Sequence, residues 1–265
     1  MTGRDVHDDL REPIDPGTLA DEIAALPAPR LIVFDCDGVL APIVAHADDA
    51  VLSPGNASAL ADLAANTGTH VAILSGRSLA GLAQFEFASA IDVIGSYGAE
   101  RRGRPPTELA ADERRRLAEL VTMTEQAAET AGPGAWVEHK PASVVLHVRE
   151  ADDHAATLAV RRVRDDAERL HGVFVHDGDA VIELAVHRSD KGTALDALAD
   201  EYAPGSLVYL GDDEPDEAAF ATVAGRAEPG VSVRIGPADA TTATCCLGGP
   251  DEVTLLLVDL VRRLR

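Results

Sequence analysis

Four short apolar runs punctuate this 265-residue chain, and each stops at a small group of polar residues. They cover residues 31–34, 69–74, 91–94 and 206–210. Runs this short, rich in Val, Ile and Leu and with little polar alternation, read as strands buried on both faces, the habit of a parallel sheet. Helix-sized stretches separate them. Leu60, Leu63 and Ala64 recur at helical spacing, with Ser53 as the expected cap and Pro54 at the first helical position. A second helix is predicted over 79–87. Strand, helix, strand at this spacing makes βαβ units, and hence a doubly wound α/β core.

The residues at the end of each strand matter more than the strand itself. Asp35-Cys36-Asp37-Gly38 comes after the first, Ser75-Gly76-Arg77 after the second, and Gly95 to Glu100 after the third. Gly211-Asp212-Asp213, with Asp216 close behind, comes after the run at 206–210, and Lys191 opens a predicted helix reaching Tyr202. In an open parallel sheet, ligands gather at the carboxyl ends of the strands, where these groups would stand. Asp35 can serve as nucleophile and metal ligand, and Asp37, turned back by Gly38, as acid or base. Asp35 and Asp212 offer carboxylates to Mg²⁺, a hard cation, with the Asp37 carbonyl as a third ligand and Asp213 adjoining. Lys191 supplies a point charge, and Ser75, Gly76 and Arg77 can hold phosphoryl oxygens. Singly, each motif has a plain alternative: a strand stop, a solvated acidic loop, an exposed lysine, a common turn. Their order along the chain gives them weight. Together they can carry a two-step displacement at phosphorus, with Asp35 attacking and Asp37 shuttling the proton.

The character changes at 101–106, Arg-Arg-Gly-Arg-Pro-Pro. A charged helix is predicted over 107–131, alternating strands over 135–140 and 143–149, and a second helix over 152–170. Strands at 173–176 and 180–184 are joined by Asp177-Gly178-Asp179, a hairpin signal. Helix, two strands, helix, two strands is a small α+β layer. The chain therefore divides into a tail with a short helix (1–27, the helix over 18–26), a core (28–102 and 187–265) and an inserted cap (103–186). The first dozen residues are expected to be mobile. The last strand is predicted at 231–235 and a closing helix at 251–264.

Composition limits the partners. Lys and Arg total 23 against 45 Asp and Glu, a formal net charge of -22. Such a surface argues against nucleic acid and anionic membrane, and an anionic ligand would need a locally positive site. Cys36, Cys245 and Cys246 give no disulfide framework, no leader is apparent, and the apolar stretch at 253–261 is interrupted by Asp259. The expectation is a cytoplasmic protein, monomeric or weakly homo-oligomeric, acting on a small molecule.

The order of these motifs resembles the haloacid-dehalogenase-like phosphohydrolases, with Asp35-Cys36-Asp37-Gly38, Ser75, Lys191 and Gly211-Asp212-Asp213 in the places of their four motifs. It resembles more narrowly the trehalose-6-phosphate phosphatase family. Leu40-Ala41-Pro42-Ile43, Ser75-Gly76-Arg77, Gly98-Ala99-Glu100, Val137-Glu138-His139-Lys140 with Ser143, and Gly211 through Phe220 are similar to its signatures. The resemblance implies a Rossmann-like core, a cap that closes over it, Mg²⁺ as cofactor, and an aspartyl-phosphate on Asp35. It also implies that Glu138, Lys140, Ser143 and Glu183 face the sugar. The chain departs from the family pattern at Val39, Pro215, Ala185-Val186 and His147-Val148-Arg149. These departures keep open a related disaccharide or pseudo-disaccharide phosphate as substrate. From other classes, a phosphoacceptor domain and a non-catalytic sugar-phosphate sensor remain.

Overall fold

The computed structural model describes residues 12–44, 46–106, 108–178, 180–237 and 240–265. The expectation for the first dozen residues falls, except for Glu12, outside the described residues. So do Thr107, at the predicted start of the charged helix, and Asp179 in the hairpin turn.

In chain order the first elements are α1 (Pro16–Ala25), β1 (Arg30–Phe34), α2 (Asn56–Ala64), β2 (Thr69–Leu74), α3 (Leu79–Leu82), β3 (Asp92–Gly95) and β4 (Glu100–Arg101). The inserted segment forms α4 (Ala111–Ala131), β5 (Trp136–His139), β6 (Ser143–His147), α5 (Asp153–Ala167), β7 (Phe174–Gly178) and β8 (Val181–Ala185). The chain then continues with α6 (Lys191–Tyr202), β9 (Ser206–Gly211), α7 (Asp216–Gly225), β10 (Gly230–Ile235), β11 (Cys245–Leu247) and α8 (Pro250–Leu264). It divides into two units, Met1–Gly103 with Asp190–Arg265, and Arg104–Ser189. The sequence reading draws these seams at 102/103 and 186/187.

The first unit is built on a seven-stranded sheet of order β11-β10-β9-β1-β2-β3-β4. It is parallel throughout except for β4, which runs antiparallel to β3. β1 lies in the middle, and its side chains alternate between two buried layers. Ile32 and Phe34 join the layer containing Leu19, Leu60 and Leu256; Leu31 and Val33 join the one containing Leu195, Leu198 and Phe220. Burial on both faces is why the strand reads as an unbroken apolar run. α1, α2 and α8 thus cover one face, and α6 and α7 the other. α8 buries Val253, Leu256, Leu257 and Leu260, one stripe at helical spacing.

Several elements depart from expectation for physical reasons. α2 begins two residues later than expected, with Gly55 rather than Ser53 at the cap, in a left-handed conformation (φ 89). The Leu40 carbonyl accepts from both Ser53 N and Asn56 Nδ2, and this pins residues 53–55 in a turn before the helix. The helix expected over 79–87 is a single α turn followed by a 3-10 turn, Ala83–Phe85. Phe85 and Phe87 are both buried in the same core layer, which two residues on opposite sides of a continuing helix could not be. β4 and β11 are too short to leave a periodic signal.

The second unit is a four-stranded antiparallel sheet of order β5-β6-β8-β7. One face carries Val144, Leu146, Ile182 and Leu184 into a core with Leu120 of α4 and Val163 of α5. The alternating residues Trp136, Glu138, Ser143, Val145, His147 and Glu183 share the other, helix-free face. Among the described residues no helix is long and apolar enough to cross a membrane.

Candidate active site

The carboxyl end of β1 turns sharply. Leu40 N and Ala41 N both donate to the Cys36 carbonyl, and Gly38 N donates to the Ala41 carbonyl. Gly38 has φ +68, and a Cβ there would lie 1.8 Å from Asp212 Oδ2. The turn therefore needs glycine twice over: for its left-handed backbone, and to admit the carboxylate that crosses it. That carboxylate arrives from the end of β9, the strand hydrogen-bonded to β1. Val39 packs into the core, so this part of the turn offers no hydroxyl.

Lys191, the first residue of α6, is buried and bridges two acids. Its Nζ lies 2.8 Å from Asp35 Oδ2 and 2.7 Å from Asp216 Oδ1. It reaches them because α6 approaches α7 closely: a Cβ on Gly192 would stand 2.6 Å from the Ala218 carbonyl oxygen. Asp216, fully buried in the first turn of α7, is a hub. Oδ1 also accepts from Tyr209 Oη at 2.6 Å, and Oδ2 from the backbone N–H of Asp212 and of Asp213, each at 2.9 Å. A carboxylate has about four acceptor positions, and here four donors engage them.

Oxygens of Asp35, Asp212 and Asp216 lie within 4.8 Å of one another. Three clustered carboxylates, two buried and Asp212 half-buried, facing one lysine leave the pocket short of positive charge. Burial, reinforced by Asp216, pushes the Asp212 carboxyl up to about 7. Burial also pushes Asp35 well above the usual carboxylate range, against the pull of Lys191. Burial alone would lower the lysine, but Asp35 and Asp216 outweigh it and hold the ammonium protonated. A pocket of hard oxygen donors with excess negative charge suits a divalent cation such as Mg²⁺. With Asp216 saturated by donors, Asp35 and Asp212 are the acids with capacity to hold one. The Asp213 side chain is exposed and accepts from Glu214 N instead.

Asp37 and Arg77 are found together. Arg77 Nε and Nη2 donate to the two Asp37 oxygens at 2.6 and 2.7 Å, a bidentate pair, and Nη1 donates to the Ala47 carbonyl. Ser75 is buried, and its Oγ accepts from Arg77 N. The stretch after β3 braces this turn. Ser96 N donates to the Arg77 carbonyl and Tyr97 N to the Ser75 carbonyl, while Glu100 accepts from Ser96 Oγ and Leu79 N. A Cβ on Gly76 would collide with the Tyr97 ring at 2.6 Å.

In the second unit Glu183 is buried and accepts from Lys140 Nζ at 2.9 Å and Ser143 Oγ at 2.5 Å. Glu138, on the same sheet face, pairs with His147 Nε2 at 3.1 Å.

Sequence reasoning placed Asp216 near the acidic loop but did not select it as a site residue, and it passed over Tyr209. A signal existed: Tyr209 is the one hydroxyl within the apolar run 207–210, and a buried tyrosine hydroxyl needs a partner.

The family model for trehalose-phosphatase matches residues 33–246. A trehalose-phosphate phosphatase of Mycobacterium tuberculosis is 36% identical over 246 residues, which cover 88% of this chain and 62% of the relative. The Escherichia coli trehalose-6-phosphate phosphatase is 31% identical over 234 residues, covering 83% of this chain and 82% of the relative. The C-terminal domain of a Candida albicans trehalose-6-phosphate phosphatase shares the fold, with a TM-score of 0.79 at 22% identity, covering 96% of this chain and 99% of that one. The chain thus spans about three-fifths of the mycobacterial relative and most of the Escherichia coli one. The matched segment runs from within β1 to β11 and contains every group of the acidic pocket, the Asp37–Arg77 pair and the whole second unit. On these grounds the chain belongs to the trehalose-phosphatase family.

Proposed function

We propose that this chain is a Mg²⁺-dependent phosphatase that hydrolyses a sugar phosphate monoester, foremost trehalose 6-phosphate, through an aspartyl-phosphate on Asp35. The observation that carries the reading is Lys191, buried between Asp35 and Asp216, which fixes the nucleophile's carboxylate beside Asp212. Asp35 attacks phosphorus, forming an O–P bond as the bond to the sugar oxygen breaks. Asp37, protonated, gives its proton to the departing alkoxide. In the second step Asp37 takes a proton from a water that attacks phosphorus, and the bond to Asp35 breaks. Mg²⁺ held by Asp35 and Asp212 would offset charge on the phosphoryl oxygens, where much of the catalysis of phosphoryl transfer lies. Ser75 and the amides of its turn take a further phosphoryl oxygen.

Arg77 supports the reading in a way that its motif alone does not suggest. Its fork is already engaged by Asp37. An arriving phosphate dianion competes for the same guanidinium, and that exchange frees the Asp37 side chain to turn toward the ester. Lys191, Arg77 and the cation make a locally positive site in a chain of net charge -22.

Lys140, Ser143 and Glu183, with Glu138, take the sugar hydroxyls: desolvated polar groups reject a ligand that leaves them unpaired. A second reading, a related disaccharide or pseudo-disaccharide phosphate, is favoured by Ala185 and Val186. Both are buried and apolar at positions where the family pattern resembled here carries a cation and a proline. The chain acts, in this reading, as a monomer or loose homo-oligomer in a reducing cytoplasm.

The test is phosphate release from trehalose 6-phosphate, sucrose 6-phosphate and glucose 6-phosphate, with and without Mg²⁺. Release that needs the cation, prefers a disaccharide and vanishes in Asp35→Asn is expected. Turnover surviving Asp35→Asn would exclude the mechanism.

A further inference from the structure

Trp136 is the only tryptophan of the chain and stands on β5, the edge strand of the second unit's sheet. Its side chain is 54% exposed. The ring lies flat on that of His147, its cross-strand partner, with centroids 3.8 Å apart and an interplanar angle of 0°. The imidazole is itself tethered, since its Nε2 lies 3.1 Å from Glu138 Oε2. The indole is therefore a backed plate: one face rests on a fixed ring, and much of the remainder meets solvent.

An exposed aromatic alone carries little meaning, and a cross-strand stack can serve only to steady a hairpin. The surroundings distinguish this one. Strand alternation puts Trp136 on the helix-free face with Glu138, Ser143 and Glu183. On that face Glu183 is desolvated and already binds an ammonium and a hydroxyl. A flat apolar plate beside fixed donors and acceptors is complementary to a pyranose, which has an apolar face of C–H groups and a rim of hydroxyls. An anionic partner would gain nothing from the plate, whose face carries the negative lobe of the ring quadrupole.

We propose that Trp136, backed by His147, is the stacking surface for a pyranose ring of the substrate, a specificity contact separate from the Glu183 cluster. The proposal rests on the sugar-phosphatase reading above. It assigns Trp136 to ground-state binding of the sugar, with no part in the chemical step.

Because there is one tryptophan, emission reports on this site alone. The 265-residue Asp35→Asn chain with Mg²⁺ is titrated with trehalose 6-phosphate while emission and acrylamide quenching are followed. In parallel, the steady-state kinetics of Trp136→Ala and Trp136→Phe are measured in the otherwise unaltered enzyme. The expected result is protection from acrylamide at saturation, with KM raised about tenfold in Trp136→Ala, kcat nearly unchanged, and most of the loss restored by Trp136→Phe. Unaltered acrylamide access under saturating trehalose 6-phosphate, in a protein whose parent hydrolyses it, overturns the stacking and spares the phosphatase reading. Protection without hydrolysis by the parent sinks the phosphatase reading and upholds the stacking. A lowered Tm with unchanged KM in Trp136→Ala overturns the proposal in favour of a hairpin brace. Protection that tracks protein concentration without sugar overturns it in favour of a second copy of the chain. Neither protection nor hydrolysis overturns both readings.

Discussion

Replacing Asp216 by Asn tests the hub directly, because the substitution keeps shape and removes acceptors. Four donors converge on this carboxylate: Lys191 Nζ, Tyr209 Oη, Asp212 N and Asp213 N. An amide has one oxygen to accept, and its NH₂ must point at donors. Whichever way it flips, two buried donors lose their partner. Each costs about 1–3 kcal/mol, so the gross loss is about 2–6 kcal/mol. Removing one of three crowded carboxylates relieves repulsion on Asp35 and Asp212 and returns about 1 kcal/mol. The net expectation is about 1–5 kcal/mol of destabilisation, read from the urea midpoint at unchanged m. Tyr209→Phe alone should cost about 1.5–3 kcal/mol, since it removes a hydrogen bond to a charged group. In the Asp216→Asn background the same change should cost much less, a coupling of about 1 kcal/mol in the double-mutant cycle. Asp216→Asn within about 0.5 kcal/mol of the parent, or strict additivity with Tyr209→Phe, refutes the hub argument.

Gly38→Ala should abolish phosphatase turnover while the chain still folds, because the new methyl displaces the Asp212 carboxylate 1.8 Å away; a Mg²⁺-induced rise in Tm equal to the parent's would contradict this. Burial, and then the hydrogen bond its hydroxyl donates to Asp92, raise Tyr202 to about 12. The proton is therefore held more tightly folded than unfolded, so the stability this contributes is intact below the unfolded value near 10 and is lost as pH rises from there through 12. Absorbance at 295 nm should show Tyr202 and Tyr209, which burial also raises, still protonated at pH 10.5 in the native protein and each about three-quarters ionised in guanidinium at the same pH. Arg77→Ala should leave Asp37 without its clamp and raise KM for the phosphate ester by about an order of magnitude, because the fork that would exchange onto phosphate is gone; unchanged KM would remove Arg77 from the binding step.

The strands were legible where burial on both faces leaves a continuous apolar run, as in β2 and β9. They were not legible where the element is an edge of two or three residues: β4 and β11 owe their existence to a neighbouring strand rather than to any local pattern. The start of α2 shows the same limit. Ser53 and Pro54 are sound local signals for a helix start, yet the Leu40 carbonyl, thirteen residues upstream of Ser53, recruits Ser53 N and Asn56 Nδ2 and moves the cap to Gly55. Local propensity lost to a tertiary hydrogen bond.

The candidate site divides along the same line. Asp35, Asp212 and Lys191 were readable because each sits at a strand end or helix start, and sheet topology alone brings such positions together. What each carboxylate binds was not readable, because partner choice depends on ångström-scale approach. Asp216 is drawn into the pocket by the first turn of α7, which folds back beneath Gly211; a Cβ on Gly211 would meet the Asp216 Cγ at 2.3 Å. Arg77 comes to Asp37 from forty residues away along the chain because β1 and β2 are neighbours in register. The pairing has a functional consequence that spacing could not suggest. Arg77 engages both Asp37 oxygens, so in the function proposed above Asp37 becomes available only once the phosphate ester has taken the guanidinium.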